Sequence, residues 1–496
     1  MIVIDNAAIA TLDGDRRELS SGHVVVDGKR IVAVGTGPAP AYDGARVIDG
    51  RGCLVTPGFV NTHQHLYQWV TRGLAADATL FGWLTKLYPV WAGIDEESVH
   101  VAAQGALAQL ARTGCTTAAD HHYVFPRRGG DLLEAEISAA AKVGLRFHPA
   151  RGSMDLGEKD GGLPPDSVVE DRDEILLATE AAIDRWHDPS PDSMLRVVVA
   201  PCSPFSVTAE LMREAAELAR RKEVRLHTHL AETVDEVSWC DERFGCTPSQ
   251  YAAELGWTGA DVWFAHGIHF DDAEIKNLGQ SSTGIAHCPS SNARLGAGIA
   301  RVADLRAAGC PVGLGVDGAA SNEAGSLLEE LRHALLFARA RPQAGFAGGG
   351  GSRGGGAEGG AGSGGHGAGS GGDGVGEGGV GGGGVGGGGD PQALDVRSAL
   401  ELATLDGARV LGRQDEIGSL EVGKLADLAV WRLDTLAHAG ITDPIAALVL
   451  GSPPPLELLL VNGRPVVEHD TVVTIDEQTL ARQVAQTHHD LLTKTT

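Results

Sequence analysis

Eight short β-like runs recur between residues 54 and 318, and helix-like segments separate most of them. In order they read LVTPGFVNTH, TTAADHH, LRFHPARG, LRVVVAPCS, VRLHTHLAE, VWFAHGIHF, TGIAHCPSS and VGLGVDG. The intervening segments include EESVHVAAQGALAQLART (96–113) and AELMREAAELARRKE (209–223). Runs this apolar suit strands buried on both faces, as in a parallel sheet covered by helices. Eight of them alternating with helices imply an α/β fold, a (β/α)8 TIM-type barrel. A doubly wound open sheet is the fallback, but it calls for a Gly-rich phosphate loop after the first strand, and none follows here.

The chain ends have a different texture. Residues 1–56 hold MIVIDNAAIATL, GHVVVDGKRIVAVG and ARVIDGRGCLV, with Asp27-Gly28 as a hairpin turn. GKLADLAVWRLD and LELLLVNGRPVV repeat this pattern near the far end, with an Asn-Gly turn. We read 1–56 and 417–496 as halves of one small β-sandwich domain, the second with a tail. The catalytic barrel spans 57–344, and 390–416 returns the chain from it as helix. Residues 345–389 are roughly two-thirds glycine and too poor in apolar side chains to build a core. They are predicted to form a disordered surface insertion; a mobile lid or an adhesive tract is the functional alternative, with no motif inside to support it.

Composition removes several classes of function. The 496 residues carry a formal net charge of -25, which repels phosphate backbones, so a nucleic acid polymer is not an expected partner. No apolar run approaches the roughly 18 residues of a membrane span. MIVIDNAAIATLDGD does not look like a secretory leader. Seven cysteines, odd in number and scattered, with no Cys-x-x-Cys pair, read as reduced thiols of a cytoplasmic protein.

Barrel active sites lie at the C-terminal ends of the strands. The first run ends in His63-Gln-His65, and strand alternation points both imidazoles to one face. The fifth supplies His227, His229 and Glu232, the sixth His266 and His269, the seventh His287, the eighth Asp317. Each alone has an ordinary explanation, a polar strand end or, for Val-Asp-Gly, a turn. His227 and His229 share a face, so spacing leaves open which of them binds. Together, three imidazoles and a carboxylate suit zinc, with water completing the coordination.

The same residues carry a family resemblance. PGFVNTHQH, HTHLAE, AHG, HCPSSN and GLGVDG, in that order, resemble the amidohydrolase superfamily in its mononuclear aminohydrolase branch. IGSLEVGKLADLAVW (417–431) is similar to that family's return into its small β-domain. The resemblance implies one divalent metal per chain, zinc or else iron, held by His63, His65, His229 and Asp317. It implies that Glu232 and His266 act on substrate and water. Two-metal members carry a modified lysine at the end of the fourth strand, where this chain has VVVAPCSP. DHHYVFP (120–126) and RGSMDLGEKDGGLPPDSVVED (151–171) add a finer resemblance, to the 8-oxoguanine deaminases and the related hydroxyatrazine ethylaminohydrolases.

The implied reaction is hydrolytic deamination of a purine, with 8-oxoguanine and water giving urate and ammonia. Asp317 accepts the proton of an activated water, His266 directs that water, and Glu232 protonates the ring nitrogen beside the amine-bearing carbon. Gln68 and Arg151 are the candidate substrate contacts, Trp83 and Trp91 candidate covers for the ring, and Cys202 a small residue near the rim. Guanine, hydroxyatrazine-type triazines and adenosine-type nucleosides are the alternative substrates. The alternative of another class is a catalytically inactive ligand-binding relative. Family barrels commonly self-associate, so a homo-oligomer is allowed for.

Overall fold

Pro57 and Gly58 split the first apolar run between two sheets. Cys53–Pro57 pairs antiparallel with Leu428–Arg432 and parallel with Ile2–Ala10, whereas Phe59–Asn61 opens the barrel. Pro57 lacks the N–H that would continue a ladder. Gly58 packs so tightly on Thr116 that an added Cβ would lie 2.2 Å from its Cγ2. What reads as one strand in LVTPGFVNTH is therefore two. This is a computed structural model, which describes residues 1–342 and 389–495. The Gly-rich segment predicted as a disordered insertion lies outside the described residues, apart from Gly389.

The barrel strands are β1 (Phe59–Asn61), β2 (Cys115–His122), β3 (Arg146–Ser153), β4 (Val198–Pro201), β5 (Leu226–Leu230), β6 (Val262–His266), β7 (Gly284–His287) and β8 (Val312–Leu314). They close into a barrel in which neighbours are parallel. All their residues are buried, the reason the runs are so apolar. Beyond β1 and β8 the two segments pair once more, Asp317 with Gln64 and Gly318 with His65. Helices Glu96–Arg112 and Ala209–Arg221 start where Asp95 and Thr208 cap them. The helical return DVRSALELATLDGARVLG forms two helices, Val396–Ala403 and Leu405–Val410. Between them Thr404 leaves helical dihedrals and its hydroxyl donates to the Leu400 carbonyl at 2.6 Å.

Both chain ends meet in one nine-stranded mixed sheet. Its Asn462-Gly463 turn has positive φ at both residues, as a two-residue hairpin of this type requires. The fully buried Arg146, at the start of β3, donates to both Asp427 oxygens at 3.0 and 3.1 Å and ties the barrel base to this sheet. All seven cysteines are free. Among the described residues no helix is long and apolar enough to cross a membrane.

Candidate metal centre and active site

The strand ends bring five predicted residues to one buried point: His63 and His65 after β1, His229 on β5, His266 on β6 and Asp317 after β8. Ligand atoms of His63, His229, His266 and Asp317 lie within 4.8 Å of one another. His65 Nε2 is 3.1 Å from His229 Nε2 and 3.2 Å from Asp317 Oδ1; His63 Nε2 is 3.3 Å from the same oxygen. His266 and Asp317 adopt left-handed backbone, φ 72° and 59°. Such strain costs about 1–3 kcal/mol per residue and clusters where function needs it.

Counting protons shows what these groups lack. His65 Nδ1 lies 2.7 Å from the His121 carbonyl and His229 Nδ1 2.7 Å from the Cys202 carbonyl. A carbonyl only accepts, so both Nδ1 atoms carry the proton and both Nε2 atoms are bare lone pairs. His63 reaches the same state through a relay. His227 Nδ1–H donates to the Trp263 carbonyl at 3.0 Å, so its Nε2 must accept from His63 Nδ1–H at 2.8 Å. His63 Nε2 is then also bare, and it has no hydrogen-bond partner. Burial pushes the pKa of His63 well below its ordinary value and that of His229 down to about 3, so neither ring supplies a proton. Three lone pairs and a carboxylate thus face one another with no hydrogen between them. A cation is the partner this arrangement fits, and pinning each Nδ1–H is how proteins orient metal-binding imidazoles. His227 stands behind His63 in this relay, away from the point where His63, His65, His229 and Asp317 face one another.

Two carboxylates at the same point are driven apart in pKa. Burial, then the charges of Asp317 and Glu236, push Glu232 well above the carboxylate range. Burial also raises Asp317, and with the facing nitrogens of His63 and His65 bare, a cation held at this point would be what keeps its carboxylate ionised. Asp317 Oδ2 accepts from Ser291 Oγ at 2.5 Å and Oδ1 from the Gly318 N–H at 2.7 Å. His266 lies between the acids, with Nε2 3.6 Å from Glu232 Oε2 and 4.0 Å from Asp317 Oδ2, while its Nδ1 meets Asn292 Oδ1 at 2.9 Å. Two neighbouring carboxyls whose surroundings push their pKa values apart suit an acid–base pair.

A cavity of about 30 Å³ opens on this point, lined by His65, His229, Glu232, His266 and Asp317. Pockets that hold drug-sized ligands measure roughly 300–1,000 Å³, and one wall of this smaller space is largely apolar. Trp83, with Leu80, Leu84 and Tyr88, forms that wall from helix Leu80–Trp91, and its Nε1–H donates to the Ala320 carbonyl at 3.1 Å. Cys202 also lines the cavity, its thiol pushed up to about 12 by burial and hence neutral. Gln68 and Arg151 are not among the lining residues. Gln68 is buried beneath Gly318. Arg151 donates to both oxygens of Glu170 at 3.0 and 2.7 Å, over the Phe125 ring. Trp91 donates to Thr71 Oγ1 instead. His269 and His287 stay outside the group. Sequence reasoning missed Tyr88, Tyr123, Phe205 and Ser321, which line the cavity from loops and helices without a periodic signal. It also missed His121, whose ring stacks on His229 at 4.7 Å. Its place one residue before the run's last histidine was the available clue.

The model of the amidohydrolase family matches residues 54–349 and 385–466. The chain belongs to the amidohydrolase family. Among its relatives is the 8-oxoguanine deaminase of Pseudomonas aeruginosa, 42% identical over 92% of this chain and 91% of that one. An isoxanthopterin deaminase from an unknown prokaryotic organism is 36% identical over 99% and 97%. Among solved structures, the zinc complex of atrazine chlorohydrolase from Arthrobacter aurescens TC1 superposes with a TM-score of 0.85, at 31% identity, over 98% of this chain and all of that one.

Proposed function

We propose that this amidohydrolase is a metal-dependent deaminase of an aminated purine, with 8-oxoguanine as substrate and urate and ammonia as products. The observation that carries the proposal is the meeting of three bare imidazole nitrogens, the Asp317 carboxylate and the Glu232 carboxyl at one small cavity. His63, His65, His229 and Asp317 would hold one divalent ion, and the donor set suits zinc, with iron the alternative. When bound, such an ion supplies Lewis acidity that brings the pKa of a water towards neutral. Asp317 takes the proton of the attacking water, its carboxylate steadied by Ser291 and Gly318. His266, fixed by Asn292, directs that water. Glu232 delivers its proton to the ring nitrogen, which makes the amine-bearing carbon electrophilic. Asp317 then passes the proton it took to the amine, which leaves as ammonia, and the proton released from the tetrahedral adduct's hydroxyl as the carbonyl forms resets Glu232. The free thiols accord with a cytoplasmic enzyme.

Kinship supports the substrate class, since the Pseudomonas relative at 42% identity is an 8-oxoguanine deaminase. The likeness to a triazine hydrolase favours a second reading, a triazine aminohydrolase. A panel decides between them: zinc-loaded protein with 8-oxoguanine, guanine, isoxanthopterin, hydroxyatrazine and an adenosine-type nucleoside, read by ammonia release. The highest kcat/KM is expected for 8-oxoguanine. Release from another ring and none from 8-oxoguanine would replace the assignment, and no release from any would favour an inactive binder.

The divergent carboxyls also set a pH dependence. Asp317 must be ionised, so kcat falls when acid protonates it. Glu232 must be protonated, so kcat falls again as pH rises through its elevated pKa. A pH–rate profile of the zinc-loaded enzyme is expected to be bell-shaped. A plateau with no alkaline limb would count against Glu232 as the proton donor.

A further inference from the structure

Thr233-Val-Asp-Glu236 is a capping-box sequence, in which the glutamate ordinarily reaches back to the N–H of the threonine. Thr233 plays its half, its Oγ1 accepting the Glu236 N–H at 3.3 Å at the start of helix Val234–Phe244. The Glu236 carboxylate goes elsewhere. Oε1 accepts the Ala231 N–H at 2.9 Å and Oε2 the Glu232 N–H at 2.9 Å. Both donors lie in the turn that carries Glu232. The Glu236 side chain is fully buried, whereas a cap needs only the helix surface. Ala231 sits at φ 53°, and its carbonyl accepts from Ile268 and His269 at 2.9 and 3.1 Å, immediately beyond His266. The turn is thus held from both sides, by Glu236 and by the loop behind His266.

Two consecutive N–H groups need two acceptor oxygens. A glutamine offers one, and sets its NH2 against the other donor. We propose that Glu236 is a positioning residue for the proton donor: its carboxylate clamps the backbone on which Glu232 stands and so fixes where that acid points. The inference rests on the reading of Glu232 as that donor.

Glu236→Gln, in the full-length zinc-loaded protein, tests it. Zinc content and KM are expected to stay close to wild type while kcat falls by about 10²-fold, the scale of a 1 Å misplacement. Thr233→Ala weakens the same helix start but leaves the clamp, so it should lower thermal stability and keep kcat near the wild-type value. In the metal-free chain, hydrogen exchange at the amides of Ala231 and Glu232 should quicken in Glu236→Gln and not in Thr233→Ala. A wild-type kcat in folded Glu236→Gln overturns the proposal, as do equal kcat losses in both variants. If Glu236→Gln does not fold, Glu236→Asp keeps the charge and shortens the reach, and a wild-type kcat there overturns it equally. Glu232→Gln separates the two levels. Full turnover in that variant refutes the reading of Glu232 itself. Its inactivity beside an unaffected Glu236→Gln refutes the positioning role alone.

Discussion

Glu232→Gln is expected to bind its metal as the wild type does and to lose about 10²–10⁴ in kcat, the contribution of a positioned general acid. The four groups that face one another, His63, His65, His229 and Asp317, do not include Glu232. An amide keeps the size of the side chain and can donate a hydrogen bond, but it cannot transfer a proton. Elemental analysis and steady-state kinetics on one preparation check both halves. Unchanged turnover refutes the assigned role, and loss of metal would place Glu232 among the ligands.

Asp317→Asn should separate activity from stability. On the proposed roles it removes a ligand and the base together, so metal content should fall towards zero and kcat by about 10³-fold or more, several kcal/mol of transition-state stabilisation. In the metal-free protein the sign reverses. The wild-type carboxylate faces the bare nitrogens of His63 and His65 at 3.3 and 3.2 Å with no proton between them. An asparagine NH2 can donate to one of them. The metal-free variant should therefore unfold at the same temperature as metal-free wild type, or higher. A chelator should lower the midpoint of the wild type alone, because only there does bound metal favour the folded state. A chelator-sensitive midpoint in Asp317→Asn would show that the carboxylate is not needed for binding.

How much of this was legible in the chain depended on whether the signal was local. The barrel could be read because each strand declares itself by a short apolar run, and even the split at Pro57 shows as an interruption. The histidines at the strand ends could be read for the same reason, since parallel strands of one barrel deliver their ends to one rim. The choice between His227 and His229 was not local. It turns on a 2.8 Å contact to His63 and a 3.0 Å contact to the Trp263 carbonyl, across other strands. Thr233 to Glu236 has the sequence of a helix cap, which does not reveal that the carboxylate accepts from Ala231 and Glu232 instead. Arg151 looked free because its partner Glu170 comes in a later loop. The cavity wall comes from helix Leu80–Trp91, whose side chains follow no rim pattern.

Because Asp317–Gly318 pairs directly with Gln64–His65, the barrel's seam runs through the site itself. Next to that pairing, the Val316 N–H donates to Asn61 Oδ1 at 3.0 Å across 255 residues of chain. Contacts so distant in sequence are slow to form, because a long loop must close before they reward it. The catalytic group is therefore complete only where the pairing that shuts the barrel is also made. A nascent chain that stops short of β8 would carry every imidazole of the site and no functional centre.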